Sequence, residues 1–474
     1  MSSTAILWLR RDLRLHDHPA LTAALAAADH VTPVYVLDPA LLQGRFASAN
    51  RAWFLRETLA ELSAAFAERG AGLRILHGRP ADVLPAFARE TGAQGVHLTR
   101  DATPYGRTRD RQVAEALGAI GVTTHAKRGL YVHEPDEVAT QDGRPYSVYG
   151  AFRRAWEARP RRAVLPAPER IPGAPGWAQP QHADAIPDLG APTADIGNLV
   201  TPGERSARDR LARWTASRNI DTYNDDRNRL DLDGTSRISQ DLRFGLLSPV
   251  EVVEAAEGAG EGRRVFVNEV VWREFYAHVL WHNPRVLREE FQAAFRDLPY
   301  RDDAQQLRAW AEGRTGYPVV DAAMRQLRGS GFVHNRARMI AASFLTKHLL
   351  MDWRVGERIF MEHLVDGDVA SNNGGWQWTA STGTDPQPYF RVFNPILQGQ
   401  RFDPDGDYVR RWVPELRGIA GSAVHTPWEL DATAQRTAGV RIGVDYPAPI
   451  VDHAMARERA LATYGETKTR AAGG

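Results

Sequence analysis

The 474-residue chain contains no cysteine, which excludes disulfides, thiolate metal sites and cysteine nucleophiles and suits a reducing compartment. Lysine is almost missing as well: Lys127, Lys347 and Lys468 are the whole complement. A Schiff-base lyase would have to draw its desolvated amine from those three, so that chemistry is poorly supported. No apolar run approaches the ~20 residues needed to cross a bilayer. The N-terminus runs straight into the apolar stretch Ala5–Leu9 with no basic leader or small-residue cleavage site, so the expected setting is the cytoplasm, with no membrane partner. Nor is there an excess of charge. The 59 Lys and Arg balance 58 Asp and Glu to a formal +1, whereas a protein that coats nucleic acid in bulk is strongly basic, so any DNA site must be a local patch. Arginine, which carries nearly all the positive charge, suits bidentate phosphate contacts. A general bias toward arginine and alanine explains the composition more simply.

What is present points to two domains, because single cores stop growing beyond roughly 250–300 residues. Short apolar runs at Ala5–Leu9, Val31–Leu37, Leu73–Leu76, Gly95–Thr99 and Val122–His125 have strand character, and Asn50–Glu68 and Arg107–Leu117 have helical spacing. This alternation predicts an α/β domain over residues 1–130, a parallel sheet covered on both faces. Prolines from Pro160 to Pro192 then dissolve the pattern, and residues 131–205 are assigned to an interdomain linker. Beyond Ser206 nearly every periodic stretch is helical, including Ala207–Ser217, Val265–Leu280 and Gly331–Leu350, so 206–474 is expected to be all-α.

Two patterns imitate sites without the context those sites need. Gly258-Ala-Gly260-Glu-Gly262 follows a helical stretch rather than a strand and reads as a helix–helix turn. His278 and His282 lie one helical turn apart, but no general-base glutamate or third ligand accompanies them, and no metal is expected. Asp233-Gly-Thr235-Ser236-Arg237-Ile238-Ser239 is more informative. Its hydroxyls follow a turn glycine, where opening-helix amides can hold a pyrophosphate, although an ordinary N-cap has the same signature. Asp366-Gly-Asp368-Val-Ala-Ser-Asn372-Asn373-Gly374-Gly375-Trp376-Gln377-Trp378 packs carboxylates, amides, glycines and indoles together. Such a run is a poor helix former, so it reads as a polar loop on which something flat and polar docks. Gly331-Phe-Val-His334-Asn335-Arg336-Ala-Arg338-Met339 places a second polar knot at the start of an apolar helix.

At these residues the chain resembles the photolyase and cryptochrome family, most closely the microbial cyclobutane-dimer photolyases often called class I. Further matching pieces are Leu9-Arg10-Arg11-Asp12-Leu13-Arg14-Leu15-His16-Asp17, Pro145-Tyr146-Ser147-Val148-Tyr149, Trp272-Arg273-Glu274-Phe275-Tyr276, Gly316-Tyr317-Pro318-Val319-Val320-Asp321-Ala322, and Thr379–Asp385 running into Tyr389-Phe390-Arg391. The resemblance runs nearly end to end. It implies a Rossmann-like antenna domain, a long linker and a helical domain that holds FAD.

By the same resemblance, Tyr223 and Thr235, Ser236, Arg237, Ile238 and Ser239 hold the FAD phosphates. Asp366 and Asp368 meet the flavin and ribityl side, Arg338 pairs with Asp366, Asn335 borders the cofactor, and Asn372 faces flavin N5. An amide there adds no negative charge beside an electron-rich flavin. Glu269 meets a thymine edge, Trp272 and Trp378 form apolar walls, and Asn335 and Met339 line a pocket for a flipped dimer. Arg227, Arg336, Arg391 and Arg401 grip flanking phosphates.

The implied activity is light-driven splitting of cyclobutane pyrimidine dimers in DNA, by a monomer. A cryptochrome-type light receptor is the alternative from another class, since fold alone does not separate the two. Members that act on the six-four lesion carry two histidines where this chain has Asn335 and Met339, which favours the cyclobutane dimer. Asp38, Arg51, Asp101 and Gly106 resemble the antenna motifs of deazaflavin-binding members; a folate, a flavin or no antenna stay open. Trp376 and Trp353 match the inner indoles of the family's photoreduction chain. Tyr300 stands at its outer position, with Trp281 and Trp310 as alternatives.

Overall fold

The computed structural model describes residues 2–473. Five strands, β1 (Thr4–Leu9), β2 (His30–Leu37), β3 (Arg74–His77), β4 (Gly95–Thr99) and β5 (Thr123–Lys127), form one parallel sheet in the order β3-β2-β1-β4-β5. β1 lies at its centre, in register with β2 from Thr4↔His30 to Leu9↔Tyr35 and with β4 from Ala5↔Gly95 to Trp8↔Leu98. Its sequence explains why. Ala5, Leu7 and Leu9 enter one hydrophobic core while Ile6 and Trp8 enter another on the opposite face, so a continuous apolar run satisfies a strand with no solvent side. Helices α1 (Pro19–Ala27), α2 (Ala49–Ala67), α3 (Pro80–Thr91) and α4 (Pro104–Gly118) supply the covering layers. The five strands anticipated from sequence are all found, each within two residues of its expected start and end.

The stretch assigned to the linker differs from expectation in two ways. Helix α5 (Tyr149–Glu157) interrupts it, because this proline-free segment buries Phe152 and Trp156 on one face. The proline-rich part is also pinned rather than free, since Gly72 N–H donates to Ala178 O (2.6 Å), Ile171 N–H to Arg69 O (2.8 Å) and Val31 N–H to Pro172 O (2.8 Å). Proline cannot donate such bonds, but its neighbours can.

From α6 (Glu204–Ala216) onward the described chain is helical. The long helix α7 (Glu261–His282) packs against α5 and carries Glu274, whose buried carboxylate accepts from Val132 N, His133 N (3.2 Å) and Trp156 Nε1 (2.6 Å). The glycine run before α7 is the turn that the sequence suggests, with Gly258 and Gly260 at positive φ (149° and 131°). His278 is structural: its ring bonds to Pro135 O (2.8 Å) and accepts from Tyr146 N (3.0 Å). Helices α8 (Pro318–Ser330), α9 (Asn335–Ser343), α10 (Trp353–His363), α11 (Val369–Ala380) and α12 (His453–Gly473) complete the second domain's frame. One hydrophobic cluster runs from the sheet into this domain, with Phe54 against Phe244 at 4.8 Å between ring centroids.

Arg14 locks that junction. Fully buried, it donates to His16 O (3.0 Å), Asp17 O (2.9 Å), Gly129 O (3.0 Å) and, across the junction, Gly245 O (2.9 Å). Only a planar guanidinium offers that many diverging donors. Arg14→Lys leaves buried carbonyls unpaired and should lower stability by about 2–4 kcal/mol, read as a reduced thermal midpoint. A midpoint equal to the parent's would contradict this account.

Candidate functional site

A cavity of about 530 Å³ opens between α7, α9, α10, α11 and the segment Tyr223–Arg243. It lies within the roughly 300–1,000 Å³ of cofactor-sized sites. Its lining includes every residue expected from sequence to meet the cofactor: Tyr223, Thr235, Ser236, Arg237, Ile238, Ser239, Asn335, Arg338, Asp366, Asp368 and Asn372. The residues expected to meet the dimer, Arg227, Glu269, Trp272, Asn335, Arg336, Met339 and Trp378, line the same cavity. Arg391 and Arg401 are exposed and outside the lining.

The helical state of Val369–Ala380 overturns the loop expected there. Packing overrides propensity. Asp368 caps α11 by accepting from Ser371 N (2.9 Å), and Asn373 donates to Val286 O (3.1 Å) and to Glu357 Oε1 (3.0 Å). The glycine pair has two separate causes. A Cβ on Gly374 would sit 2.1 Å from Cδ1 of Tyr276, so the helices touch through that glycine, whereas a Cβ on Gly375 would meet nothing within 4 Å because it faces the cavity.

Charge in the site is fixed by burial and arginine together. Burial opposes the charge on Asp368, but Arg11, Arg273, the Ser371 N–H and Arg243 hold its carboxyl well below the usual carboxylate range. Arg11, from just after β1, pairs with Asp368 at 2.6 Å and was not anticipated as a site residue. Its membership in the Arg10-Arg11-Asp12 motif was the available signal. Arg338 pairs with Asp366 at 2.7 Å, as expected from sequence. Glu269 is pushed upward by burial against the pull of Arg227, its partner at 2.6 Å. Arg227, read from sequence as a phosphate grip, is thus committed to Glu269. Arg336 donates to Asn228 Oδ1 (2.8 Å) and lies over Phe402, 4.4 Å from its centroid. Burial, Arg227 and Arg401 lower its pKa to about 10.

The lining suits FAD on observable grounds. Asp366 Oδ1 and Arg237 Nε are buried without hydrogen-bond partners, Thr235, Ser236 and Ser239 supply hydroxyls, and the Gly375 face leaves room for a flat ring. The sequence comparisons agree. The model described as "DNA photolyase" matches residues 5–172, and that of the FAD binding domain of DNA photolyase matches 266–466. A deoxyribodipyrimidine photo-lyase of Agrobacterium fabrum is 40% identical over 98% of both chains. The chain belongs to the DNA photolyase family. FAD is its cofactor, and the relatives' names support photolyase-type repair over a receptor role. A solved bacterial class III photolyase from Agrobacterium tumefaciens is 39% identical (TM-score 0.93, covering 99% of this chain and 98% of that one), and a Synechocystis cryptochrome 30% identical (TM-score 0.89, 97% and 99%).

The residues expected from sequence to meet an antenna fall into two groups. Asp38 accepts from Tyr105 Oη and from Ala40 N (3.0 Å), and Asp101 lies against Gly106 and 3.4 Å from Arg109. Arg51 is spent on the helical domain of this photolyase-family chain, donating to Met361 O (2.5 Å) and Leu364 O (2.6 Å). On the far side of the cavity lining, Trp376 presses on Gly356 of α10, one turn from the fully buried Trp353. Glu290, also unanticipated, accepts from Trp353 Nε1 (3.2 Å) and Tyr300 Oη (3.0 Å). No sequence motif advertises it.

The glycine pair yields a discriminating test. Gly374→Ala should destabilise the protein by about 1–3 kcal/mol through overpacking against Tyr276. Gly375→Ala should leave the apoprotein's thermal midpoint near the parent's yet weaken FAD retention. The opposite ranking in melting and flavin content would refute the assigned packing.

Proposed function

We propose that this chain splits cyclobutane pyrimidine dimers in DNA with light, the lesion flipped out of the helix and seated in the same cavity as FAD. One observation carries the reading: the polar groups suited to the cofactor and the apolar walls suited to a dinucleotide share a single lining. Reduced FAD, when bound and excited, supplies the electron that opens the dimer.

The chain's own residues do the rest. Trp272 is a stiff wall, because Tyr149 backs it at 3.6 Å with planes 5° apart. Burial raises Glu269, which favours a carboxyl able to donate as well as accept at a thymine edge. Asn335 and Met339 lie one turn apart on α9, their side chains 3.9 Å from each other. Among the described residues no histidine lines the cavity, which fits a lesion whose splitting needs no imidazole shuttle. Arg336 and Arg401 flank Phe402 and, with Arg391, are suited to the phosphates beside the lesion. Arg227 reaches a phosphate on releasing Glu269.

The proposal extends to two auxiliary functions. Asp38, Asp101 and Gly106, grouped around the start of α4, together with Arg51 of α2, bind an antenna, for which a deazaflavin fits the motifs best. Trp376, Trp353 and Tyr300 feed electrons to the oxidised cofactor. Trp310 lies 6.1 Å from Trp376 but is fully buried, so Tyr300, which is partly exposed, is the better terminus.

Blue light on reduced, FAD-loaded protein should remove dimers from DNA, and darkness should leave them bound but intact. Dimers that persist under illumination would instead favour the receptor reading. Arg401→Ala should reduce the slope of log affinity against log salt by about 1; an unchanged slope excludes that phosphate contact. Deazaflavin added to protein from a host lacking it should create a new absorption band and speed repair in dim light. Failure of uptake would argue against this antenna.

A further inference from the structure

We propose that Glu290 is the base that takes the phenolic proton of Tyr300 when Tyr300 gives up an electron, so that the two residues act as one proton-coupled donor. This rests on the reading of Trp376, Trp353 and Tyr300 as an electron-feed line. The decisive feature is a shared carboxylate oxygen. Oε1 of Glu290 accepts from Tyr300 Oη at 3.0 Å and from Trp353 Nε1 at 3.2 Å, so donor and hole acceptor are bridged by a single atom. Glu290 is 2% exposed and Trp353 0%, so the shared oxygen is shielded from water although Tyr300 itself is partly exposed.

A phenol that loses an electron becomes a very strong acid, and its oxidation is fastest when a proton acceptor already lies in hydrogen-bond reach, about 2.6–3.2 Å. Tyr464 provides the contrast. It packs in the same cluster as Tyr300, but its hydroxyl donates to the Ala380 carbonyl at 2.9 Å, and an amide oxygen does not take a proton. Glu290 is held in place on its other side. Oε2 pairs with Arg354 at 2.7 Å, and Arg354 lies over the Trp353 ring, 4.8 Å from its centroid. The cation disfavours a hole resting on Trp353, whereas the carboxylate stands ready at Tyr300.

The step balances. Photoexcited oxidised flavin, a one-electron oxidant, draws an electron from Trp376, which takes one from Trp353. The Trp353 radical cation then takes one electron from Tyr300 while the Tyr300 O–H bond breaks and its proton passes to Oε1 of Glu290. Neutral Trp353, a neutral tyrosyl radical and a protonated Glu290 result. No net charge is created among the three groups, which matters where charge is poorly solvated.

Flash photolysis and electron paramagnetic resonance of the full FAD-loaded chain, in H₂O and D₂O, test this. The parent should form a tyrosyl radical whose appearance slows in D₂O. Glu290→Gln keeps an acceptor oxygen for both donors, and Arg354 keeps Asp352 at 3.0 Å, yet the amide cannot take the proton. The tyrosyl radical should be lost and the Trp353 radical cation should persist until it recombines. Glu290→Asp, which restores a carboxylate, should recover part of the tyrosyl signal. A tyrosyl radical formed in Glu290→Gln at the parental rate and isotope effect would overturn the role of Glu290 while leaving Tyr300 as donor. Absence of any tyrosyl radical in the parent, with Tyr300→Phe behaving identically, would remove Tyr300 itself.

Discussion

The ion pair between Arg11 and Asp368 holds the two domains and the cavity in one register. Asp368 is half-buried, begins α11 by capping it, and faces the site. Its charge is tolerable only because Arg11, reaching from the end of β1, meets it at 2.6 Å with Arg273 and Arg243 nearby. Removing Arg11 strips the nearest cation from a carboxylate whose charge burial already disfavours. The sheet is therefore more than an attachment to the helical domain. Just after its central strand comes the nearest of the cations that hold Asp368 charged at the start of α11, the helix that carries Asn372, Gly375 and Trp376. Asp101 lies 3.9 Å from the same guanidinium, so the proposed antenna site and the cofactor cavity share an arginine.

The cavity divides its chemistry by element. Hydroxyls and cations come from the segment before α7 and from α9, the indole and amide from α11, and the outer wall from α7. Each side chain is backed by another: Trp272 by Tyr149, Glu269 by Arg227, Arg338 by Asp366. Supported first contacts of this kind are what make a site rigid enough to place a reacting group without searching. The aromatic path away from the cavity follows the same rule, with Glu290 backing Trp353 and Tyr300 alike.

Much of this was legible in the residues. The five strands announced themselves through short apolar runs, and the cavity lining through motifs whose polar content had no role in a core. α1 is hidden because its alanine-rich stretch has weak apolar periodicity, and α3 because Pro85 inside an otherwise amphipathic run reads as a helix breaker. α11 was misread because propensity argues against Asn-Asn-Gly-Gly in a helix, and only Tyr276, remote in sequence, explains why a glycine is required. Glu290 was invisible for a different reason: its importance lies in folding back onto residues 10 and 63 positions away, which no local pattern encodes.

The central claim, that one cavity seats both FAD and a flipped dimer, is tested most directly by a crystal structure of the FAD-loaded protein with an oligonucleotide containing a cyclobutane dimer. The account predicts the dinucleotide outside the base stack, between Trp272 and Trp378, with Glu269 at a thymine edge and the flanking phosphates near Arg336 and Arg401. A dimer left stacked in the duplex, or docked on a face away from this lining, would contradict it.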